Sequence, residues 1–133
     1  MTEKTFQSIF SKWIKQNYPY SAVFELKVVD LDKKKSISYS KDFQPHQIPM
    51  LRQAKHGCVY KKLSDIDPSL KPWDSFNICS VPAFIVILFY QKRKKKIMYW
   101  VDVDMWLLMQ ENADRKSATE EMVIDYSQHE FIL

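Results

Sequence analysis

Apolar positions at Phe6, Ile9, Phe10, Trp13 and Ile14 recur with the period of an α-helix, so this stretch is predicted to be a helix with one buried face. Asn17 and Pro19 supply its stop. Ala22 to Val29 then reads as a strand. Phe24, Leu26 and Val28 share one face of it, and Glu25 and Lys27 emerge side by side on the other. Ile37 and Tyr39 fit a short return strand. Ile48, Leu51 and Ala54 form the stripe of a second helix from about Pro45 to Ala54, with proline in its first turn and Gly57 in the place of a C′ residue. Cys58 to Leu63 alternates as a strand, residues 64–72 form a loop by their Asp, Ser and Pro content, and Trp73 to Cys79 resumes as a strand with Asp74, Phe76 and Ile78 on one face. Ala83 to Tyr90 is a continuous apolar run, the pattern of a central strand buried on both faces. Ile97 to Val103 returns beside it. Met105 to Met109 suits a short helix, and Ser117-x-x-Glu120 fits a capping box opening the last one. His129 to Leu133 carries no assignable pattern. The sum is a mixed β-sheet flanked by helices, α/β or α+β in class, with residues 1–133 expected as a single domain.

Composition narrows the class. A hydrophobic share of 46% with 14% aromatic residues excludes a disordered chain. No apolar run reaches the roughly 18 residues a membrane span needs, and Thr2-Glu3-Lys4 followed by an amphipathic pattern is no secretory signal. Cys58 and Cys79 have no metal-type spacing with each other or with the His residues. They are expected as reduced thiols in an intracellular, cytoplasmic protein without a zinc site. Gly57 is the single glycine, so no Gly-rich phosphate loop exists and a nucleotide cofactor is not expected.

Charge adds one further distinction. The formal net charge of +4 is modest, but it is concentrated in Lys33-Lys34-Lys35, Lys92-Arg93-Lys94-Lys95-Lys96 and Arg115-Lys116. Such runs are either solvated hairpin tips or the grip on a polyanion, where each neutralised phosphate releases counterions. The Glu25–Lys27 pair has two readings as well. On a solvated face it is an ion pair worth about 0–1 kcal/mol. On a buried one it costs several kcal/mol per ion, and holding a divalent cation would give that cost a use.

The order of helix, Glu-x-Lys strand, helix and further strands resembles the PD-(D/E)XK nuclease superfamily from about Thr5 to Met109. Phe24-Glu25-Leu26-Lys27, then Asp42-Phe43-Gln44-Pro45-His46-Gln47, then Leu51 and Gly57, resemble RecU-type Holliday-junction resolvases. Ala83 to Tyr90, Ile97 to Leu107 and the Arg115-Lys116-Ser117 turn look like later elements of the same family, and small phage-type nucleases give the nearest overall likeness. The resemblance implies a restriction-endonuclease-like sheet and an Mg²⁺- or Mn²⁺-dependent endonuclease hydrolysing DNA phosphodiesters. It further implies branched or four-way-junction DNA as substrate, a homodimer, and a cytoplasmic setting such as a phage-infected cell.

The residue roles are carried over in the same way. Asp74 and Glu25 would supply carboxylate ligands and Leu26 a backbone carbonyl, while Lys27 would orient the attacking water or stabilise charge developing on phosphorus. Gln47 would help position the nucleophile or metal, or is simply a polar residue at a helix start. Lys33, Lys34, Lys35, Lys92, Arg93, Lys94, Lys95, Lys96, Arg115 and Lys116 would grip the DNA backbone. One departure stands out: the superfamily's Pro-Asp strand precedes its Glu-x-Lys strand, whereas Lys71-Pro72-Trp73-Asp74-Ser75-Phe76 follows it here. Either that strand has migrated and meets Glu25 in space, or Asp74 caps a turn and the fold serves a non-catalytic nucleic-acid-binding or assembly module. Glu3 is read either as an outer carboxylate or as a complement to the helix dipole. His46 is expected to pack or cap, Asp102 and Asp104 to end a strand, and His56 and His129 to lack convergent partners.

Overall fold

The computed structural model describes residues 1–62 and 75–133. Its elements in chain order are α1 (Glu3–Asn17), β1 (Val23–Asp30), β2 (Ser36–Ser38), α2 (Gln47–His56), β3 (Cys58–Lys62), β4 (Ser75–Cys79), β5 (Ala83–Tyr90), β6 (Ile97–Asp102), α3 (Val103–Asn112), β7 (Ser117–Thr119), α4 (Glu120–Tyr126) and β8 (His129–Ile132). The class is α+β. A four-stranded sheet in the order β1-β5-β6-β8 carries two small ribbons, β2-β7 and β3-β4. β1 and β5 run parallel, with Glu25 opposite Ile85 and Lys27 opposite Ile87. β6 and β8 join antiparallel. A parallel pair needs a long crossover, and α2 lies within it.

Strand alternation divides the core into two layers. Phe84, Val86 and Leu88 of β5 face α1, where Phe6, Phe10, Met98 and Trp100 complete an aromatic-rich cluster. Ile85, Ile87 and Phe89 face the other way, into a cluster with Leu51 of α2, Trp106 of α3 and Val123 of α4. Burial of β5 from Ala83 to Phe89 explains why its sequence shows no alternation. β1 follows the same division: Phe24, Leu26 and Val28 pack with α1, and Val29 joins the α2 side. Glu25 and Lys27 therefore stand on the α2 face.

Several boundaries differ from expectation for local reasons. β2 does not return beside β1; it pairs with β7, with Ile37 opposite Ala118. α2 starts at Gln47, leaving Pro45 in the preceding turn. Gly57 has φ −151°, extended rather than left-handed. Asp102 rather than Met105 opens α3, its side chain accepting from Asp104 N–H. Ser117 belongs to β7, and Thr119 caps α4 by accepting from Met122 N–H. The tail forms the edge strand β8, with Phe131 packed against Trp13 and Trp100. Cys58 and Cys79 face one another across β3-β4 and are joined as a disulfide, not the free thiols expected from a reduced compartment. No described helix is long and apolar enough to cross a membrane.

Candidate active site

Among the described residues Lys27 is the one buried charge, 5% exposed in a core otherwise apolar. Its Nζ lies 3.6 Å from Glu25 Oε1 and 3.8 Å from Glu3 Oε1, and 5.0 Å above the Phe43 ring. Two carboxylates and an aromatic face thus offset the desolvation of one ammonium. The contact with Glu3 depends on strand order. Among the described residues β1 is the sheet edge, so the start of α1, packed on the opposite face, reaches Lys27 around that open side.

Gln47 completes the group from the first turn of α2. Its Nε2 donates to Glu25 Oε1 at 2.8 Å, and its Oε1 accepts from Gln44 N–H at 2.9 Å. With both ends of its amide engaged, Gln47 fixes the Glu25 carboxylate. Oε1 of Glu25 takes both Gln47 and Lys27. Burial pushes the Glu25 carboxyl above the ordinary value, Lys27 pulls it down, and Glu3 pushes it up again; the balance is upward.

Parity along β1 also sets the direction of the Leu26 carbonyl. Val23 N–H donates to Pro82 O and Leu31 N–H to Tyr90 O, so odd residues turn their peptide groups to β5. Leu26, being even, turns its carbonyl to the open edge. Glu25 Oε2 and Leu26 O are hard oxygen donors of the kind Mg²⁺ or Mn²⁺ takes, with waters filling the remaining positions. They fit such a cation and not a soft one. Among the described residues no three His, Cys, Asp or Glu converge into a metal group. Asp74 and Asp65 lie outside the described residues.

Of the residues picked out from sequence, Glu25, Lys27, Gln47 and Leu26 come together, and Glu3 joins them. Of the basic runs, Lys34 and Lys116 line a cleft with Asp42, and the rest lie elsewhere. Because β1 and β5 are parallel, Asp30 sits opposite Tyr90 and the turns bearing Lys33–Lys35 and Lys92–Lys96 emerge at one end of the sheet. Glu25 and Leu31 are six strand residues apart, roughly 20 Å. Lys35 and Arg115 line one cleft there with Leu31 and Gln91, and Lys94 and Lys95 line its neighbour. Lys33, Lys92 and Arg93 are exposed and Lys96 is half-buried. Lys34 is committed: its ammonium bonds both oxygens of Asp42 at 2.8 Å. Asp42 also accepts from Ser38 N–H at 2.6 Å. Burial raises the Asp42 carboxyl, yet Lys34 and that N–H outweigh it and hold it below its ordinary value.

Other expectations change. His46 is exposed and makes no side-chain cap. His129 has aromatic partners, stacking on Phe131 and meeting Trp100 edge-on. His56 bonds Asp104 at 2.8 Å, and Lys55 bonds Asp102 at 2.8 Å and Asp104 at 2.6 Å. This clasp ties the end of α2 to the start of α3. Its partners are 47 to 49 residues apart for Lys55, a separation no local pattern betrays.

The arrangement is thus an α+β fold whose edge strand presents a buried lysine beside a clamped glutamate. The chain matches no protein-family model, no curated protein and no solved structure.

Proposed function

We propose that this chain is a metal-dependent DNA endonuclease of PD-(D/E)XK type, acting on branched DNA. The observation that supports it is the buried Lys27 beside the clamped Glu25 at an open sheet edge. A purely structural pair would be better replaced by apolar residues, since burying ions is seldom favourable overall. The parallel β1-α2-β5 unit presenting the pair is in keeping with a restriction-endonuclease-like sheet.

A bound Mg²⁺ or Mn²⁺ would supply Lewis acidity and an activated water, held by Glu25, the Leu26 carbonyl and, on this reading, Asp74. The chain's own residues do the rest. Gln47 holds the Glu25 carboxylate in one rotamer. Phe43 and the flanking carboxylates hold the Lys27 ammonium in place, so it would meet a phosphoryl oxygen without first being ordered. A four-way junction presents two equivalent strands, which favours a symmetric dimer.

The test is cleavage of end-labelled four-way junction, linear duplex and single strand with Mg²⁺, Mn²⁺ or EDTA. Metal-dependent, symmetric nicking of the junction is expected. Glu25→Ala should fall to background and Lys27→Met should lose about 10²–10³-fold, both with junction binding largely kept. Cleavage persisting in Glu25→Ala would sink the proposal. One observation favours a second reading, a non-catalytic nucleic-acid-binding module: no three acidic or metal-binding side chains converge among the described residues. That reading expects salt-sensitive binding with no cleavage in any metal.

A further inference from the structure

Near the Lys27 site lies a second polar feature, built on the β2-β7 ribbon. The ribbon's inner residues Ile37 and Ala118 are 1% and 0% exposed, which pins one face into the core. Alternation then sends Ser36, Ser38 and Ser117 outward together. These hydroxyls, with Lys34, Lys41 and Lys116, line a cleft of about 390 Å³. Among the described residues Asp42 is its one carboxylate, and both its oxygens are already held by Lys34. Three lysines against one aspartate leave the cleft a net charge of +2. Ser38 Oγ accepts from Lys41 N–H at 3.1 Å, so its own O–H proton is available for donation to a ligand. The cleft thus offers ammonium and hydroxyl donors around a concavity, with Asp42 already neutralised. That chemistry suits the oxygens of a phosphodiester.

We infer that this cleft is a backbone-phosphate site, seating a nucleic-acid strand beside the Lys27 edge. The nucleic acid rests on the function proposed above; the cleft's composition and charge do not. Asp42 and Phe43 connect the two places in the chain: Asp42 anchors Lys34 in the cleft, and Phe43 lies under Lys27. The cleft divides the basic residues by role. Lys41 and Lys116 hold phosphate near the site while Lys34 neutralises Asp42, whereas Lys92–Lys95 are exposed at a separate turn.

The experiment is fluorescence anisotropy of a labelled four-way junction in EDTA, titrated at several NaCl concentrations. Wild type is compared with Lys41→Gln/Lys116→Gln, with Ser36→Ala/Ser38→Ala, and with Lys12→Gln/Lys15→Gln on α1 as a charge-matched control. The cleft double lysine variant should bind about tenfold or more weakly at low salt, with a log–log salt slope shallower by about 2. The serine variant should weaken binding without changing that slope, since it removes no charge. The α1 control should lose clearly less. Equal losses in the cleft and control variants would overturn the inference, as would no binding by wild type at 50 mM NaCl, roughly the low end of such titrations. Cleavage with Mg²⁺ is read separately. Normal cleavage with unweakened binding by the cleft variants removes the cleft alone. Weakened binding with no cleavage by any protein supports the cleft and removes the nuclease.

Discussion

Glu25 is where a single residue's chemistry can be read from solution behaviour. Burial favours its neutral form in the folded chain, and Lys27 only partly reverses that, so its folded pKa lies above the ordinary 4.5. The folded state then binds a proton that the unfolded chain has already released. The stability this carries is full below about pH 4.5 and is lost as pH rises through the folded value. Glu25→Gln cannot ionise and escapes the loss. Urea denaturation across that window should therefore show wild type losing ground to the variant as pH rises; a constant difference would remove the argument. A cation on the same carboxylate acts in the opposite sense, favouring its charged form. At pH 7, millimolar Mg²⁺ or Mn²⁺ should stabilise wild type, by about 2.7 kcal/mol at 100 times Kd, read as a raised Tm, and leave Glu25→Gln unmoved. Scanning calorimetry against NaCl at matched ionic strength separates this from screening.

At the scale of elements, α2 is held at both ends, which is how it serves the site. Gln47 at its start grips Glu25 on β1, and Lys55 and His56 at its end grip Asp102 and Asp104 at the β6-α3 junction. Apolar residues between, notably Leu51 and Ala54, set the depth at which the helix lies. Lys55 is mostly sheltered, and Lys55→Met would leave Asp102 without its cation. Such a loss costs about 1.5–3 kcal/mol, measurable as a shift of the urea midpoint. Burial alone would raise the Asp104 carboxyl, but Lys55 and His56 prevail and hold it below its ordinary 3.8. Its contribution is thus present above about pH 3.8 and disappears as pH falls through the folded value. Wild type and Asp104→Asn should converge in stability at the acid end, and parallel curves would contradict the assignment.

For the molecule as a whole, strand order decides what is accessible. β5 and β6 occupy the middle of the sheet, so β1 and β8 are its edges among the described residues. That leaves one side of β1 open to Glu3. The disulfide closes the base of the β3-β4 ribbon across a sequence separation of 21. By loop-closure entropy a cross-link of that span contributes about 3 kcal/mol. Treatment with dithiothreitol should lower the unfolding free energy by about that amount, read from urea titrations with and without reductant. Cys58→Ser should match the reduced wild type. An unchanged midpoint on reduction would place the ribbon's stability elsewhere.

Periodicity by itself determined the helices around Phe10 and Leu51, the doubly buried β5 and the opposite faces of β1, because one buried face imposes its period on neighbouring residues. Glu25 beside Lys27 was legible for that reason, two residues apart on a pleated strand. Tertiary structure alone decided that Lys27 is buried, that Glu3 meets it and Gln47 meets Glu25, that β2 pairs with β7, and that Cys58 bonds Cys79. Each of these depends on which segments become neighbours, and contacts between residues 21 to 83 positions apart leave no local pattern. The starts of α3 and α4 differ from the pattern's Met105 and Ser117 for a smaller reason. Asp102 and Thr119 cap because a strand ends immediately before each helix, and where a strand ends is set by its partner.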